Sequence, residues 1–266
     1  EEISRHPGVA AHFPVVAQAA ASIAGPTHRS MGTLGGNLCL DTRCIFYNQS
    51  QWWRAANNHC LKTTGDVCHV APKSRGVCFA TFSGDLAPAL MVLDAEVDLA
   101  SPEGRRTLSL RDLYTGDARH DGSGRGDGKH YLALLSGELV VGVRVAAKPG
   151  AIPGLRSAYD KIRIRRSIEY PVAGVAVALR RDGGTLADLR IAITGTNPRP
   201  VLLEGTPALC GGPLDDRVLQ GVDALVRDQI MSMKTTFTPG HYRRRMAGVL
   251  ARRLVQGLWE EPHRHG

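Results

Sequence analysis

Five of the six cysteines in this chain fall within one polar segment, from Cys39 to Cys78. Thiols gathered in this way can form disulfides, bind zinc or hold an iron–sulfur cluster. The N-terminal sequence predicts no secretion signal, because it has acidic residues where a signal peptide is basic and no uninterrupted apolar run. We therefore expect a cytoplasmic protein. Because thiols are kept reduced in that compartment, disulfides are the least favoured of the three interpretations.

The spacing of the cysteines bears on the kind of metal group. Zinc sites usually begin with a closely spaced cysteine pair, whereas here 15 residues separate Cys44 from Cys60, seven separate Cys60 from Cys68 and nine separate Cys68 from Cys78. Such intervals favour a loop wrapped around a larger group, such as a 4Fe–4S cluster with four separate iron corners. Zinc remains open, but unligated buried cysteines do not suit a long polar loop without a core.

Two histidines also lie in this segment, each next to a cysteine. His59 precedes Cys60 and His69 follows Cys68. Adjacent residues rarely bind the same metal without strain, so we expect both histidines on the loop surface or beside the metal ligands.

A second candidate site directly precedes the cysteines, in the run RSMGTLGGNL over 29–38. The glycine pair Gly35-Gly36 would let backbone amides approach a phosphate or a ribose, although a structural turn would explain it equally well. The run has little periodicity, so we predict a tight loop over 27–38.

The elements that must position these residues differ between the two halves of the chain. In the first half, Ser83 or Asp85 is predicted to cap a short helix that leads into a strand near 95–100. The second half predicts a three-stranded antiparallel sheet followed by helices, which is an α+β arrangement. The other predicted elements are a helix over 13–24, a surface loop over 113–131, a strand over 154–166, a hairpin about a DGG turn over 172–205, and amphipathic helices over 218–230 and 240–259.

The net charge of +8 raises the question of a nucleic-acid partner. The arginines are scattered along the chain, Arg243 to Arg245 among them, and no nucleic-acid-binding motif accompanies them. We therefore expect a solvated basic surface and no nucleic-acid partner. No apolar run is long enough to predict a membrane span.

Three runs together, RSMGTLGGNL, SGDLAPAL and YDKIRIRRSIEYPVAGVAVAL, resemble the FAD-binding medium subunit of the xanthine dehydrogenase family of molybdenum hydroxylases. The resemblance covers nearly the whole chain. It implies a partial FAD-binding domain over 1–150 that includes a cysteine-rich cluster loop at 39–80, followed by a C-terminal α+β domain over 151–266.

The resemblance also implies which residues hold FAD. Lys161 would approach the flavin ring, with a surface strand lysine as the alternative. The residues expected at the adenosine and pyrophosphate side are Thr33, Gly35, Gly36, Asn37 and Asp85. In this family another glycine-rich loop normally precedes the part where this sequence begins, so we expect these 266 residues alone to hold FAD weakly.

Most members of the family lack a cysteine segment between GGNL and SGD. The branch that carries one comprises the β subunits of 4-hydroxybenzoyl-CoA reductases, which this sequence resembles. That resemblance implies a 4Fe–4S cluster, with Cys39 and Cys210 left as spare thiols. The implied cluster ligands are Cys44, Cys60, Cys68 and Cys78.

The function implied by this resemblance is electron relay without substrate chemistry in this chain. Electrons would pass from ferredoxin through the 4Fe–4S cluster and FAD to a small 2Fe–2S subunit and a large molybdopterin-binding subunit, in a heterohexamer that reduces 4-hydroxybenzoyl-CoA to benzoyl-CoA. The alternatives are the FAD subunit of another molybdenum hydroxylase, acting on an aromatic compound or an N-heterocycle, and a non-catalytic, zinc-stapled assembly module. The basic residues expected to dock an acidic ferredoxin are Arg43, Arg54, Lys62, Lys73 and Arg75.

Overall fold

The structure is a computed structural model, and it describes residues 1–74, 76–116, 126–145, 154–165, 167–231 and 233–260. Arg75, the middle of the predicted 113–131 loop and the predicted domain boundary near 150 lie outside these residues. Within the described ranges, no helix combines the length and the apolar character needed to cross a membrane.

The chain begins with three helices, α1 (Glu2–Arg5), α2 (Pro7–His12) and α3 (Pro14–Ser22). Proline starts both α2 and α3, where its missing N–H costs no helical hydrogen bond. α3 confirms the helix predicted over 13–24, and it buries Val15, Val16 and Ala19 in a large apolar core, here called the first core.

The tight loop predicted over 27–38 is wrong, because this segment forms two short helices, α4 (Pro26–Met31) and α5 (Leu34–Leu38). Proline again opens α4. The hydroxyl of Thr33 caps α5 by accepting a hydrogen bond from the Gly36 amide at 3.0 Å. The cap compensates for the weak helix propensity of the two glycines in α5.

One short helix, α6 (Gln51–Ala56), lies within the cysteine-rich segment. After the cysteines, α7 (Leu86–Met91) confirms the predicted short helix and is buried along its whole length, and β1 (Glu96–Ser101) confirms the strand predicted near 95–100. β1 is the middle strand of an antiparallel sheet, between β2 (Gly104–Ser109) and β3 (Leu139–Arg144).

A second antiparallel sheet confirms the predicted arrangement after residue 150 and extends it by one strand. Its order is β4 (Leu155–Ile162), β5 (Ala173–Asp182), β6 (Thr185–Thr194) and β7 (Val201–Leu202), where β7 is the strand that was not predicted. The DGG turn is a two-residue connection between β5 and β6, and Gly183 adopts a positive φ of 56°.

This second sheet is buried on both faces, and the period of two along β5 divides its side chains between two cores. Val175 and Val177 face the second core, formed with α8 (Asp216–Gln229) and α9 (Gly240–Glu260). Ala176 and Ala178 face the first core. The small alanines let α3 and α7 pack closely on that side.

One arginine of α9 departs from the predicted solvated surface. Arg243 is 2% exposed, so the expectation of a solvent-facing position is wrong for this residue. Its guanidinium donates to the carbonyl oxygens of Val172 and Gly195 and to the hydroxyl of Thr235. Burial lowers the pKa of Arg243 to about 10, which leaves the group charged at neutral pH.

Candidate functional site

The first cavity of interest, here called the glycine cavity, has a volume of about 430 Å³ and lies against α4 and α5. Four of the predicted FAD-binding residues line it. They reach it from two separate parts of the chain, α5 with its cap and the start of α7. These residues are Thr33, Gly36, Asn37 and Asp85.

A hydrogen bond links these two parts of the wall. The side-chain oxygen of Asn37 accepts from the Leu86 amide at 3.0 Å, which ties α5 to the first residue of α7. Gly35 is not among the lining residues. A Cβ atom there would lie 3.2 Å from the carbonyl oxygen of Val140, so Gly35 instead allows close packing of α5 on β3.

Asp85 joins the wall of the glycine cavity to a buried polar network. The predicted capping of α7 by the Asp85 side chain is wrong, since that side chain makes no capping hydrogen bond. Its carboxylate lies 2.9 Å from the Lys161 ammonium and accepts hydrogen bonds from Tyr159 Oη at 2.6 Å and from Ser22 Oγ at 3.4 Å. Burial raises the pKa of Asp85 and lowers that of Lys161, and their pairing opposes both shifts.

Lys161 is therefore neither a surface strand lysine nor one of the lining residues of the glycine cavity. Its side chain is 1% exposed, and its ammonium also donates to the carbonyl oxygen of Glu169 at 3.1 Å. Asp85 and Glu169 both line the cavity. Lys161 thus supports two lining residues from behind, a role that the sequence did not indicate.

A second cavity adjoins the first and is here called the connecting cavity. It has a volume of about 380 Å³ and shares Leu40, Glu169 and Tyr170 with the glycine cavity. Its other lining residues include Cys44 and Thr235. The connecting cavity therefore extends from the glycine cavity to the cysteine-rich segment.

A third, small cavity brings together the four cysteines predicted to bind a cluster, and we call it the four-cysteine cavity. Each of these cysteines is 6–7% exposed, whereas Cys39 and Cys210 are only partly buried and are not among the lining residues. The lining cysteines are Cys44, Cys60, Cys68 and Cys78. The polar segment thus forms an interior of its own, despite having no large apolar core.

Local hydrogen bonds orient these sulfurs. Backbone amides donate to two of them at 3.4 Å, Tyr47 to Cys44 and Ala80 to Cys78. A hydrogen bond between Cys68 and Cys78 lowers the pKa of Cys68 to about 5 and raises that of Cys78. Amide donors of this kind stabilise thiolates, the form in which cysteine binds metals, but burial outweighs them at Cys44 and raises the pKa of that thiol.

The thiols surround the cavity rather than meeting at one point. Within the part of the chain that the structure describes, no group of three or more His, Cys, Asp or Glu side chains is arranged to hold a single metal ion. Of the two histidines expected on the loop surface or beside the ligands, His69 lines the four-cysteine cavity. Its Nε2 atom lies within hydrogen-bonding distance of the carbonyl oxygen of His59.

The predicted docking residues are divided by the fold. Arg43 and Lys73 are exposed, as expected for a docking surface. Arg54 is half-buried and donates to the carbonyl oxygens of Tyr47 and Gln49. Lys62 is 8% exposed and lines the four-cysteine cavity, so its predicted place on the surface is wrong.

Comparisons with known proteins cover both halves of the chain. A family described as "FAD binding domain in molybdopterin dehydrogenase" matches residues 1–147, and one described as "CO dehydrogenase flavoprotein C-terminal domain" matches residues 157–258. The chain is 29% identical to the carbon monoxide dehydrogenase medium chain of Afipia carboxidovorans, over 93% of this chain and 67% of that protein.

Two further similarities agree with these matches. The aldehyde oxidoreductase FAD-binding subunit PaoB of Escherichia coli is 28% identical, over 96% of this chain and 76% of that subunit. Among solved structures, CO dehydrogenase from Oligotropha carboxidovorans superposes with a TM-score of 0.69 at 25% identity, over 96% of this chain and 70% of that chain.

Proposed function

Because the chain belongs to the family of FAD-binding subunits of molybdopterin dehydrogenases, we propose that it is the electron-transferring flavin subunit of a multisubunit molybdenum hydroxylase. Support comes from the glycine cavity, where α5 and Asp85 form one wall. Substrate conversion is assigned to a partner subunit, because the relatives are named as a medium chain or an FAD-binding subunit of a larger enzyme.

The residues of the glycine cavity fit a dinucleotide cofactor. Thr33, Gly36 and Asn37 lie at the cavity wall, where small side chains and backbone amides can approach phosphate and ribose oxygens. Asp85 offers a carboxylate that the Lys161 ammonium holds in place. FAD, when bound, can exchange electrons with one-electron and two-electron carriers.

The proposed partners are a large molybdopterin-binding subunit and a small 2Fe–2S subunit. This proposal draws on the relatives, two of which are named as medium chains of carbon monoxide dehydrogenases. Other relatives are named for aldehyde oxidoreductase and nicotinate dehydrogenase. A substrate that is oxidised, such as an aldehyde or an aromatic N-heterocycle, is accordingly the broader proposal for the complex.

A narrower proposal adds a 4Fe–4S cluster in the four-cysteine cavity. Four buried thiols facing one cavity, with amide donors to two of the sulfurs, suit a group with several separate metal corners. A single zinc ion requires its ligands to converge on one point. If the cluster is present, reductive dehydroxylation of 4-hydroxybenzoyl-CoA with ferredoxin as donor becomes the specific candidate.

Cofactor analysis of the complex tests the proposal. The chain would be produced together with its partner subunits, purified without oxygen, and analysed for FAD, iron, sulfide and zinc. We expect about one FAD per chain, and iron with sulfide in excess of what the small subunit holds. Stoichiometric zinc without additional sulfide would favour the zinc-stapled module, and absence of FAD would contradict the flavin-subunit proposal.

A pair of glycine variants tests the location of FAD. Gly36→Val adds a branched side chain whose Cβ would lie 3.1 Å from Thr33 Oγ1, between two residues that line the glycine cavity, and it is expected to weaken FAD binding at least about tenfold. Gly184→Val is the matched control, because a side chain there meets open space in the β5–β6 turn. Equal FAD retention by both variants would place the cofactor elsewhere.

A further inference from the structure

The amino group of Lys62 is buried between the four-cysteine cavity and the rest of the chain. It lies 2.7 Å from the Asp41 carboxylate and donates to Thr42 Oγ1 at 3.0 Å. It also donates to the carbonyl oxygen of Gly128. Burying an ammonium group is costly unless it is paired and hydrogen-bonded, and Lys62 meets both conditions.

Two aromatic rings enclose this cation. The Lys62 nitrogen lies 4.7 Å from the ring centroid of Tyr131 and 5.3 Å from that of Tyr47. The faces of such rings attract a cation and exclude water from it. The charge of Lys62 is therefore poorly screened by solvent.

The two members of the Lys62–Asp41 ion pair line different cavities. Lys62 lines the four-cysteine cavity, whereas Asp41 lines the connecting cavity. Gly128, whose carbonyl holds Lys62, also packs directly on Cys78, since a Cβ atom at Gly128 would lie 2.6 Å from the Cys78 sulfur. The ammonium thus lies at the wall that all four thiols share, whereas Asp41 lines a cavity that includes Cys44 but none of the other three.

We propose that Lys62 is a positioning residue that raises the reduction potential of the redox group held by the four cysteines. This inference rests on the proposed cluster. Reduction adds one electron, and hence one negative charge, to that group. A nearby fixed positive charge favours the reduced form, while the negative charge of Asp41, which does not line the four-cysteine cavity, opposes that effect.

The size of the effect follows from Coulomb's law. With an effective dielectric constant of about 20, a unit charge within about 12 Å changes such an equilibrium about tenfold or more. Tenfold corresponds to about 59 mV for a one-electron couple. Lys62→Met removes the charge and keeps most of the side-chain volume, so it is expected to shift the midpoint potential to a more negative value by about this amount.

Three variants test this, each in the complete complex purified without oxygen. The midpoint potential of the cluster would be measured by reductive titration with its electron paramagnetic resonance signal as the readout, alongside iron content. Asp41→Asn is expected to shift the potential in the opposite direction from Lys62→Met. Lys73→Met removes an exposed charge from the same segment and is expected to leave the potential nearly unchanged.

Opposite shifts in the Lys62 and Asp41 variants support the inference, because mere loosening of the loop predicts no reversal of sign. Unchanged potentials, or shifts in the same direction, overturn it while leaving the cluster in place. If the Lys62→Met variant binds no iron, the midpoint potential of the Asp41→Asn variant becomes the test. A midpoint potential of that variant that does not shift to a more positive value overturns the inference. If the unsubstituted complex shows no cluster beyond those of the small subunit, the proposed cluster fails, and this inference with it.

Discussion

Replacing Lys161 with methionine should strongly destabilise the chain at neutral pH. The substitution leaves the Asp85 carboxylate buried, with Tyr159 and Ser22 as its remaining partners in the network. Removing one member of a buried ion pair typically costs about 3–5 kcal/mol. Methionine fills most of the space of the lysine stem, so the cavity contribution to this cost is small.

The cost should depend on pH in a defined direction. Without Lys161, burial raises the pKa of Asp85 further above its ordinary value of 3.8. A carboxyl group whose pKa is raised on folding causes no penalty below its unfolded pKa, because it is protonated in both states. The deficit of the Lys161→Met variant should therefore be small near pH 4 and grow as the pH rises towards the folded-state pKa of Asp85.

The free energy of unfolding would be measured by urea denaturation, followed by circular dichroism, between pH 4 and 8. Adding Asp85→Asn to Lys161→Met should recover most of the loss, because it removes the unpaired charge. Arg144→Met is the control. It breaks the surface pair with Asp98, in which the arginine is 58% exposed, and should cost far less than Lys161→Met because water screens that pair. A loss of under about 1 kcal/mol for Lys161→Met at pH 7, without pH dependence, would refute a charged pair at this site.

Three other predictions concern the cysteines, one glycine and one ion-paired carboxylate. Serine variants of the lining cysteines, Cys44→Ser for example, should lose iron, whereas Cys39→Ser and Cys210→Ser should retain it. Iron analysis of each variant checks this, and retention by Cys44→Ser with loss by Cys39→Ser would reassign the ligands. Gly128→Ala should destabilise the chain by about 2–5 kcal/mol in urea denaturation, because its φ is +83° and the new methyl group would meet the Cys78 sulfur. An effect no larger than that of Gly184→Ala would contradict the close packing. The hydrogen bonds from Arg106 lower the pKa of Glu138 to about 2 from 4.5, so the stability that Glu138 contributes is complete above pH 4.5 and is lost as the pH falls towards 2. Acid titration of Glu138→Gln should show a shallower loss of stability over that range, and an unchanged titration curve would exclude this pair as its source.

The sequence by itself determined the features that depend on neighbouring residues. Alternating apolar residues about a DGG turn predicted the β5–β6 hairpin, and helical periodicity predicted α3, α8 and α9. The grouping of the cysteines predicted a shared site, because residues in one segment can reach one another however the rest folds, and the family resemblance implied which four would meet. The same resemblance implied the residues at the glycine cavity, of which Gly35 is not among the lining residues.

Short helices and strands were less accessible to prediction. α4 and α5 have little periodicity, and capping by Thr33 together with packing on the rest of the chain stabilises them despite two glycines. β7 has two residues, and it is a strand because β6 pairs with it. Such elements owe their stability to tertiary contacts rather than to local propensity.

Only the tertiary structure decided which charged residues are buried. A lysine or an arginine can leave water when acceptors converge on it, and those acceptors come from distant parts of the chain. Lys161 pairs with Asp85 across 76 positions, and Arg243 donates to Gly195 across 48 positions. Lys62 meets Gly128 across 66 positions. No local pattern distinguishes these three side chains from solvated ones, since what buries each of them is a partner that only the folded chain brings into contact.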